Sequence, residues 1–249
     1  MDKRRLGGVL LLVLAFVISV LPIVNSRFIS VREQQEVIEE FLGGGEEDQA
    51  RPSRMDVSIQ SLKVLGVLEA PSIGLEMPIY EGVTEAALSS ACGTMVEFGG
   101  FTGKKGSHPV MTSHNGMPGR NLFSGITKMK KGDEFYITTE DDRMLVYKVY
   151  KLDTVVPTDV NAFERGRDVS SATLLTCVPE GINSHRLLVK GRLIEDIDLT
   201  SEDEGYEKQD ERFVLTNYEI FVIALWSVVL LVFVVLTVRD KVKKKGDLI

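Results

Sequence analysis

Cys177 and Arg186 have the residue types and the spacing that thiol chemistry requires. Cys177 ends the apolar run ATLLTC, and Arg186 opens the run RLLVKGRLIE after the turn-forming segment VPEGINSH. If these runs are neighbouring strands, the two side chains can approach each other. A guanidinium keeps its proton, so it can favour a thiolate or stabilise an oxyanion. Cys177 is therefore a candidate nucleophile; a buried structural thiol and half of a disulfide with Cys92 are the alternatives.

A thiol nucleophile also needs a proton carrier, and the chain has three histidines. His185 is adjacent to Arg186 on a predicted strand, so its side chain faces the opposite side. His108 and His114 share one face of HPVMTSH but lie about 20 Å apart, so only one of them can reach Cys177. His114 is followed by the loop NGMPG, and catalytic groups often stand where a strand meets a loop. We predict that His114 is the acid/base.

The elements that must hold these residues are mostly short β-strands. From about residue 62, β-branched and apolar segments are interrupted by glycine and proline, as in KVLGVLEAPSIGLEMPIYEG. HPVMTSH, RMLVYKVYKLDTVVP, ATLLTC and RLLVKGRLIE are further strand candidates, and a short helix is expected after Thr84. Many short strands with such turns predict a sandwich or a barrel.

Two apolar runs flank this β-rich segment. Residues 6–24 and 221–238 are uncharged, and each run is about as long as a bilayer span requires. Lysines and arginines precede the first run and follow the second, which predicts cytoplasmic termini and an external segment over residues 28–215. A signal peptide cleaved near VNS (24–26) is the alternative for the first run. The middle segment is exported in either case, and a disulfide is permitted there.

Composition divides the chain into six segments, and its charge argues against nucleic-acid binding. The net charge is −7 at pH 7, and the C-terminal lysines are explained by membrane topology. An N-terminal span precedes an amphipathic helical stalk with a glycine-rich linker, the β-rich domain, an acidic spacer, a second span and a basic tail. The predicted bounds of these segments are 1–27, 28–61, 62–197, 198–216, 217–239 and 240–249.

Several motifs resemble those of the sortases, membrane-anchored cysteine transpeptidases of Gram-positive bacteria. TLLTC (173–177), the proline at 179, the asparagine at 183 and HRLLVKGR (185–192) resemble the family's signature. SHNGMP (113–118) with LFSGITKMKKGDEFYI (122–137) is similar to the segment that holds the family's histidine, and residues 71–95 resemble its opening strands and helix. The resemblance covers most of residues 64–194. Two spans and the stretch NSHRLLVKG are most similar to class C, the pilin-polymerising branch.

The resemblance implies a mainly β fold, a closed eight-stranded barrel with short helices, a helical stalk and two flanking transmembrane helices. Cys177 would be the nucleophile, His114 the acid/base, and Arg186 the anchor for the oxyanion and the substrate. Cys177 would cleave a Leu-Pro-x-Thr-Gly type sorting signal between Thr and Gly, and a pilin lysine would take the acyl group. The alternatives are transfer to a cell-wall precursor, hydrolysis of the thioester, and a membrane-tethered barrel that binds without catalysis.

The resemblance also gives expectations about the surroundings of the site. Thr176, Pro179 and Asn183 are assigned to substrate binding. Class C enzymes usually carry an aspartate-proline-aromatic lid, but GGGEEDQARPSRMDV lacks that triplet, so we predict no lid of the family type. Cys92 is expected to be a small buried residue of the short helix. We expect no cofactor and no metal, because no carboxylate cluster has the spacing of a calcium loop. The expected partners are sorting-signal substrates, the lipid bilayer and a cell-wall precursor.

Overall fold

The computed structural model describes residues 3–43, 61–120, 122–163, 168–200 and 217–246. Its α-helices are α1 (Lys3–Leu42), α2 (Glu85–Ser90) and α3 (Asn217–Gly246). Its strands are β1 (Val64–Ala70), β2 (Leu75–Glu81), β3 (Cys92–Thr94), β4 (Val110–Thr112), β5 (Glu134–Thr139), β6 (Arg143–Val155), β7 (Ser171–Val178) and β8 (His185–Asp198). Short 3-10 helices occupy the longer connections, among them Val96–Phe98 and Val160–Phe163.

The eight strands close into one barrel in the order β1-β2-β3-β4-β7-β8-β6-β5. The pairs β2–β3 and β4–β7 are parallel, and the other neighbours are antiparallel. Closure pairs the backbone of every strand on both sides, which leaves no open sheet edge. The predicted eight-stranded β-barrel is confirmed.

The inside of the barrel is filled by large apolar side chains. Leu68, Met77 and Ile137 are fully buried there, and the rings of Phe135 and Tyr147 stack with centroids 5.3 Å apart. Burial of each such side chain contributes about 1.5–3 kcal/mol to folding, so this core holds the barrel rigid. A rigid barrel is what a site assembled from two strands and the loop after a third requires.

Two local predictions differ from the structure. The strand predicted over HPVMTSH is ladder-paired only at Val110–Thr112, so His108 and His114 both lie just outside it. Cys92 is not part of the short helix, because α2 ends at Ser90 and Cys92 begins β3. Its sulfur is fully buried, as expected, and contacts the Pro78 carbonyl at 3.5 Å. Cys92 and Cys177 are both free, which excludes the disulfide alternative.

Helix α1 joins the first apolar run and the predicted stalk in one continuous helix. Val37 on its C-terminal half is only 2% exposed because it packs into the barrel core, and the next residue, Ile38, is equally buried. The Gln34 side chain is also buried and donates from Nε2 to the Ser90 carbonyl at 2.6 Å. Ile29, an apolar residue near the start of the predicted stalk, is 44% exposed. The stalk therefore lies on the barrel and is not a free spacer.

The two predicted spans differ in length. Helix α1 is long and apolar enough to cross a membrane, with a mean hydropathy of 2.1 in its most apolar window. The apolar part of α3, Ile220–Leu236, is shorter. The two helices touch, since Trp226 stacks edge-on against Phe16 at 5.2 Å and donates to the Ser19 hydroxyl at 2.9 Å.

An ion-pair cluster links β6 to β8 on the outside of the barrel. Asp153 accepts from Lys151 at 2.9 Å and from Lys190 at 3.1 Å, and the Lys190 side chain is only 9% exposed. Burial opposes ionisation of Asp153, but the two lysine hydrogen bonds outweigh it, so the pKa of this carboxyl is lowered. The cluster neutralises a lysine that the sheet largely buries.

Candidate active site

Strands β7 and β8 bring Cys177 and Arg186 directly opposite each other. The antiparallel register pairs Cys177 with Arg186 and Val178 with His185, and directly opposed Cα atoms lie about 4.5–5.5 Å apart. The connection is a tight turn in which the amides of Ile182 and Asn183 donate to the Pro179 carbonyl at 3.1 and 2.9 Å. This turn fixes the register on which the thiol–guanidinium pair depends.

His114 reaches the same region through the parallel pairing of β4 with β7. The ladder runs to Thr112 opposite Leu175, and two further bonds extend the contact. The Thr176 hydroxyl donates to the Ser113 carbonyl at 2.8 Å, and Asn115 Nδ2 donates to the Cys177 carbonyl at 2.8 Å. Because these bonds flank His114 on both sides, they hold its backbone beside Cys177.

Strand parity explains why the side chains of Cys177 and Arg186 share one face. Leu174 on β7 and Leu187 on β8 point into the barrel core, so Cys177 and Arg186 point outward. On that outer face Leu175 and Leu188 belong to a second apolar cluster with Val110 and Ala162, packed by Phe98, Phe163 and neighbouring side chains. The Cys177 thiol therefore lies at one end of this apolar cluster on the outer face of the barrel.

The imidazole of His114 has a carboxylate partner. Glu85 opens α2, whose cap is the Thr84 hydroxyl accepting from the Ala87 amide at 3.3 Å. Its Oε1 lies 3.1 Å from His114 Nε2. The His114 side chain is 34% exposed and that of Glu85 is 77% exposed, so solvent screens the pair. The contact orients the ring and leaves Nδ1 for other partners.

Arg186 is held by its own turn. Its Nη1 donates to the carbonyls of Asn183 and His185 at 3.0 and 3.1 Å. Among the residues that the structure describes, Nε and Nη2 of Arg186 have no hydrogen-bond partner. One edge of the guanidinium is thus anchored, and the other edge can donate hydrogen bonds to an anionic or carbonyl oxygen.

The other two histidines lie elsewhere. His108 is buried, with Nδ1 2.7 Å from the Ser171 hydroxyl and Nε2 2.9 Å from the Thr173 hydroxyl, near the opposite end of β7 from Cys177. His185 is exposed, and its ring contacts the Ser184 hydroxyl at 2.9 Å. The His108 ring is bonded away from Cys177, and strand parity turns the His185 ring to the face opposite Arg186. The bonds made by Thr176 and Asn115 hold the His114 backbone beside Cys177.

The two cysteines have different environments. Burial raises the pKa of the Cys92 thiol, which is fully enclosed. Cys177 is half-buried at the barrel rim. Reactivity follows access and thiolate character, so Cys177 is the thiol that can act on a substrate.

The three residues assigned to substrate binding occupy unlike positions. Pro179 and Asn183 are exposed in the β7–β8 turn, within reach of a bound peptide. Thr176 is only 1% exposed, and its hydroxyl is occupied by the Ser113 carbonyl. Its geometry suits holding β4 in place. The predicted absence of a lid concerns residues that lie almost wholly outside the described ones.

The loop after His114 and the β7–β8 turn pack against each other at this end of the barrel. A Cβ on Gly116 would lie 1.9 Å from Cγ of Glu180, so the loop after His114 packs against the β7–β8 turn with no space for a side chain. Gly116 also has a φ of +75°, a region that favours glycine. Within the described ranges, no three His, Cys, Asp or Glu side chains are grouped so that they could hold a metal ion.

Glu85 and Asn115 contact the candidate site but were not predicted from the sequence. Asn115 could have been singled out only by its place directly after His114, because its bond to the Cys177 carbonyl joins residues 62 positions apart. Glu85 carries a weaker signal, the acidic first position after an N-cap threonine, and that pattern indicates only helix capping.

A closed β-barrel with a half-buried cysteine facing an arginine across a strand pair, and a histidine alongside, has the architecture of a cysteine transpeptidase. Comparisons with known proteins agree. A model of the sortase domain matches residues 68–194. The chain therefore belongs to the sortase family.

Individual relatives are similar over most of their length. Sortase A from Bacillus anthracis is 31% identical over 157 residues, which cover 62% of this chain and 72% of the relative. Sortase C of Streptococcus pneumoniae, solved in connection with catalysis and pilin substrate specificity, is 33% identical with a TM-score of 0.54. The match covers 64% of this chain and 97% of that structure. A Clostridium perfringens sortase C with the C-terminal cell wall sorting motif is 31% identical with a TM-score of 0.51. The match covers 69% of this chain and 89% of that structure.

Proposed function

We propose that this chain is a membrane-held pilin polymerase of the class C type. It cleaves a sorting signal of the Leu-Pro-x-Thr-Gly type and joins the released threonine to a pilin lysine. The observation that carries the proposal is the pairing of Cys177 with Arg186 across β7 and β8, with His114 held alongside by bonds from Thr176 and Asn115. The likeness to sortase C structures supports the choice of branch.

In the first half-reaction the Cys177 thiol gives its proton to His114, and Sγ attacks the threonine carbonyl carbon and forms the S–C bond. The carbonyl oxygen becomes an oxyanion, which accepts hydrogen bonds from the outward edge of Arg186. The C–N bond to glycine then breaks, and His114 gives its proton to the departing amine. The products are a thioester on Cys177 and a peptide with a free amino-terminal glycine.

In the second half-reaction a lysine amine attacks the thioester carbonyl. His114, now neutral, takes the proton from the amine, and the C–S bond breaks to regenerate the Cys177 thiolate. An isopeptide bond between threonine and lysine results, so no net charge or redox change occurs. Glu85 orients the imidazole through both steps, since it bonds Nε2.

Membrane anchoring supports this function. Helix α1 has the length and hydropathy of a span, and α3 adds a shorter apolar segment beside it. We propose that both helices cross the membrane with cytoplasmic termini, which puts residues 28–215 and the barrel on the external face. Pilins and other sorting-signal proteins would then meet the enzyme at the cell surface.

Attachment of surface proteins to a cell-wall precursor is the second candidate. The curated relatives that match this chain include sortase A enzymes, which favours an acceptor other than pilin. The chemistry at Cys177 is the same in both cases, and the candidates differ only in the amine that resolves the thioester.

An acceptor competition distinguishes them. The full chain in detergent micelles receives a sorting-signal peptide together with a pilin domain and a wall-peptide amine at equal concentration. The proposal predicts an isopeptide product on a pilin lysine; a product on the wall-peptide amine alone would establish the second candidate. Cys177→Ala is the matched control, and product formation by that variant would contradict a thioester mechanism.

A further inference from the structure

The loop that follows His114 rests on the membrane helix. Gly119 is buried five residues after His114, and a Cβ there would lie 1.9 Å from the Ser26 hydroxyl and 3.4 Å from the Ile23 carbonyl of α1. Its φ of +72° also requires glycine. Ser26 comes two residues after the uncharged run of α1 ends at Val24, about 3 Å further along the helix. The support of the catalytic loop is thus the outer end of the apolar span.

Contacts higher on α1 fix the tilt of the barrel. Gln34 bonds the Ser90 carbonyl at the end of α2, and Val37 is buried in the barrel core. From Ser26 to Val37 the contacts extend over about 16 Å of one helix. Because the helix is continuous through this region, the barrel cannot swing away from the membrane while these contacts persist.

Exposed apolar side chains on α1 indicate where the membrane surface lies along the helix. Val24, Phe28 and Ile29 are 58%, 68% and 44% exposed. Apolar and aromatic side chains at the end of a span lie in the interfacial layer of a bilayer. That layer therefore extends past Ser26, and Gly119 with its loop lies at the same height.

The barrel end beside that loop is apolar as well. Ile182, at the tip of the β7–β8 turn, is 72% exposed, and Val83, two residues before Glu85, is 47% exposed. Both are close to the loop: Glu180 packs on Gly116, and Glu85 bonds His114. Exposed aliphatic side chains on a surface that faces lipid gain free energy by entering the interface.

We propose that the active-site end of the barrel, formed by residues 115–120, residues 179–184 and Val83, rests on the outer surface of the phospholipid bilayer. Cys177 then works at the height of the lipid headgroups. The inference depends on the membrane insertion of α1 in the proposed function and is independent of the chemistry at Cys177.

Tryptophan fluorescence in nanodiscs of phosphatidylcholine and phosphatidylglycerol tests this contact. In the full chain with Trp226→Phe, an Ile182→Trp variant reports on the active-site end. Ile194→Trp, at a 52% exposed position of β8 about 26 Å from Arg186, is the matched control. A nitroxide lipid labelled near the headgroup should quench the first variant about twofold or more relative to the second. Equal quenching, or none at position 182, would overturn the proposal.

A second comparison tests the support itself. Gly119→Ala should lower the quenching of the Ile182→Trp variant. Adding Ser26→Gly should restore the part of that loss that comes from the clash, while the backbone strain at position 119 remains. Gly99→Ala is the control, since Gly99 has a φ of +90° but no atom near its Cβ position. Loss of quenching with Gly99→Ala equal to that with Gly119→Ala would contradict the role of the Gly119–Ser26 contact.

The unmodified protein shows whether a negative result means that the barrel does not contact lipid or that the helices do not insert into the membrane. Quenching of native Trp226 by a lipid labelled deep in the acyl chain reports insertion of the helix pair. If Trp226 is quenched and the tryptophan at position 182 is not, the barrel faces away from the lipid and only this inference fails. If Trp226 is not quenched, the inference fails together with the membrane placement, while the thioester chemistry of the proposed function is untouched.

Discussion

Replacing Thr176 by valine removes one hydroxyl and keeps the shape of the side chain. The hydroxyl is buried and donates to the Ser113 carbonyl at 2.8 Å, one residue before His114. Loss of a buried hydrogen bond that leaves its acceptor unsatisfied costs about 1–3 kcal/mol. For a domain of this size the melting temperature should fall by roughly 3–10 °C. The end of β4 would also be less firmly held.

The catalytic effect follows from the position of His114. A displacement near 1 Å can cost about 10²-fold in rate, so we expect kcat for peptide cleavage to fall about 10–100-fold with little change in KM. Thr176→Ser is the matched control: it keeps the hydroxyl, loses one methyl worth about 1 kcal/mol, and should retain most of kcat. The assay is steady-state cleavage of a sorting-signal peptide, with melting followed by circular dichroism.

One result would refute this reasoning. If Thr176→Val keeps the kcat and the melting temperature of the unmodified protein but raises KM, the hydroxyl contacts substrate and does not position β4. The assignment of Thr176 to substrate binding would then be correct.

Three further outcomes are expected. Alkylation of the folded protein by iodoacetamide should modify Cys177 alone, because burial of Cys92 excludes the reagent and raises its pKa; mass spectrometry showing equal modification of both would contradict this. Glu85→Gln should lower kcat/KM by about 1.4–5-fold at low salt, and the difference should shrink at high salt because the pair with His114 is exposed; a salt-independent loss would mean that charge is not involved. Asp153→Asn should reduce the unfolding free energy by about 1–2 kcal/mol at pH 7. Since the folded pKa of Asp153 is lowered, its contribution is present above the ordinary carboxyl value near 3.9 and is lost as the pH falls further, so denaturant titrations of the two proteins should converge below about pH 4.

The pairing of Cys177 with Arg186 was predictable because it depends on local information. Two apolar runs joined by a short turn pair in antiparallel register, and the turn length determines which residues face each other. The choice of His114 used the same kind of information, namely strand parity and the position of a loop. The barrel closure itself followed from the family resemblance.

Parity could have revised one assignment. Thr176 is adjacent to Cys177 on a strand, so if Cys177 faces outward, Thr176 must face the core. The argument that removed His185 from the site applies equally to Thr176. Its hydroxyl then requires an internal acceptor, which the Ser113 carbonyl supplies.

Other features depend on contacts between distant parts of the chain. Glu85 reaches His114 only after β2, β3 and β4 are assembled, and nothing in the segment TEAALSS specifies that partner. The packing of α1 on the barrel is similarly hidden, because Ser30 and Gln34 are polar residues that read as solvent-facing but are buried. The sequence pattern of an amphipathic helix does not show which of its polar residues another surface will bury.

Trapping of the acyl intermediate shows whether Cys177 is the nucleophile. The full chain is incubated with a sorting-signal peptide in the absence of any added amine, quenched in acid and digested, and the peptides are weighed by mass spectrometry. The account predicts a threonyl thioester on Cys177, none on Cys92, and strong depletion of the adduct in His114→Ala. An adduct that forms on another residue, or no adduct while Cys177 alkylates readily, would contradict it.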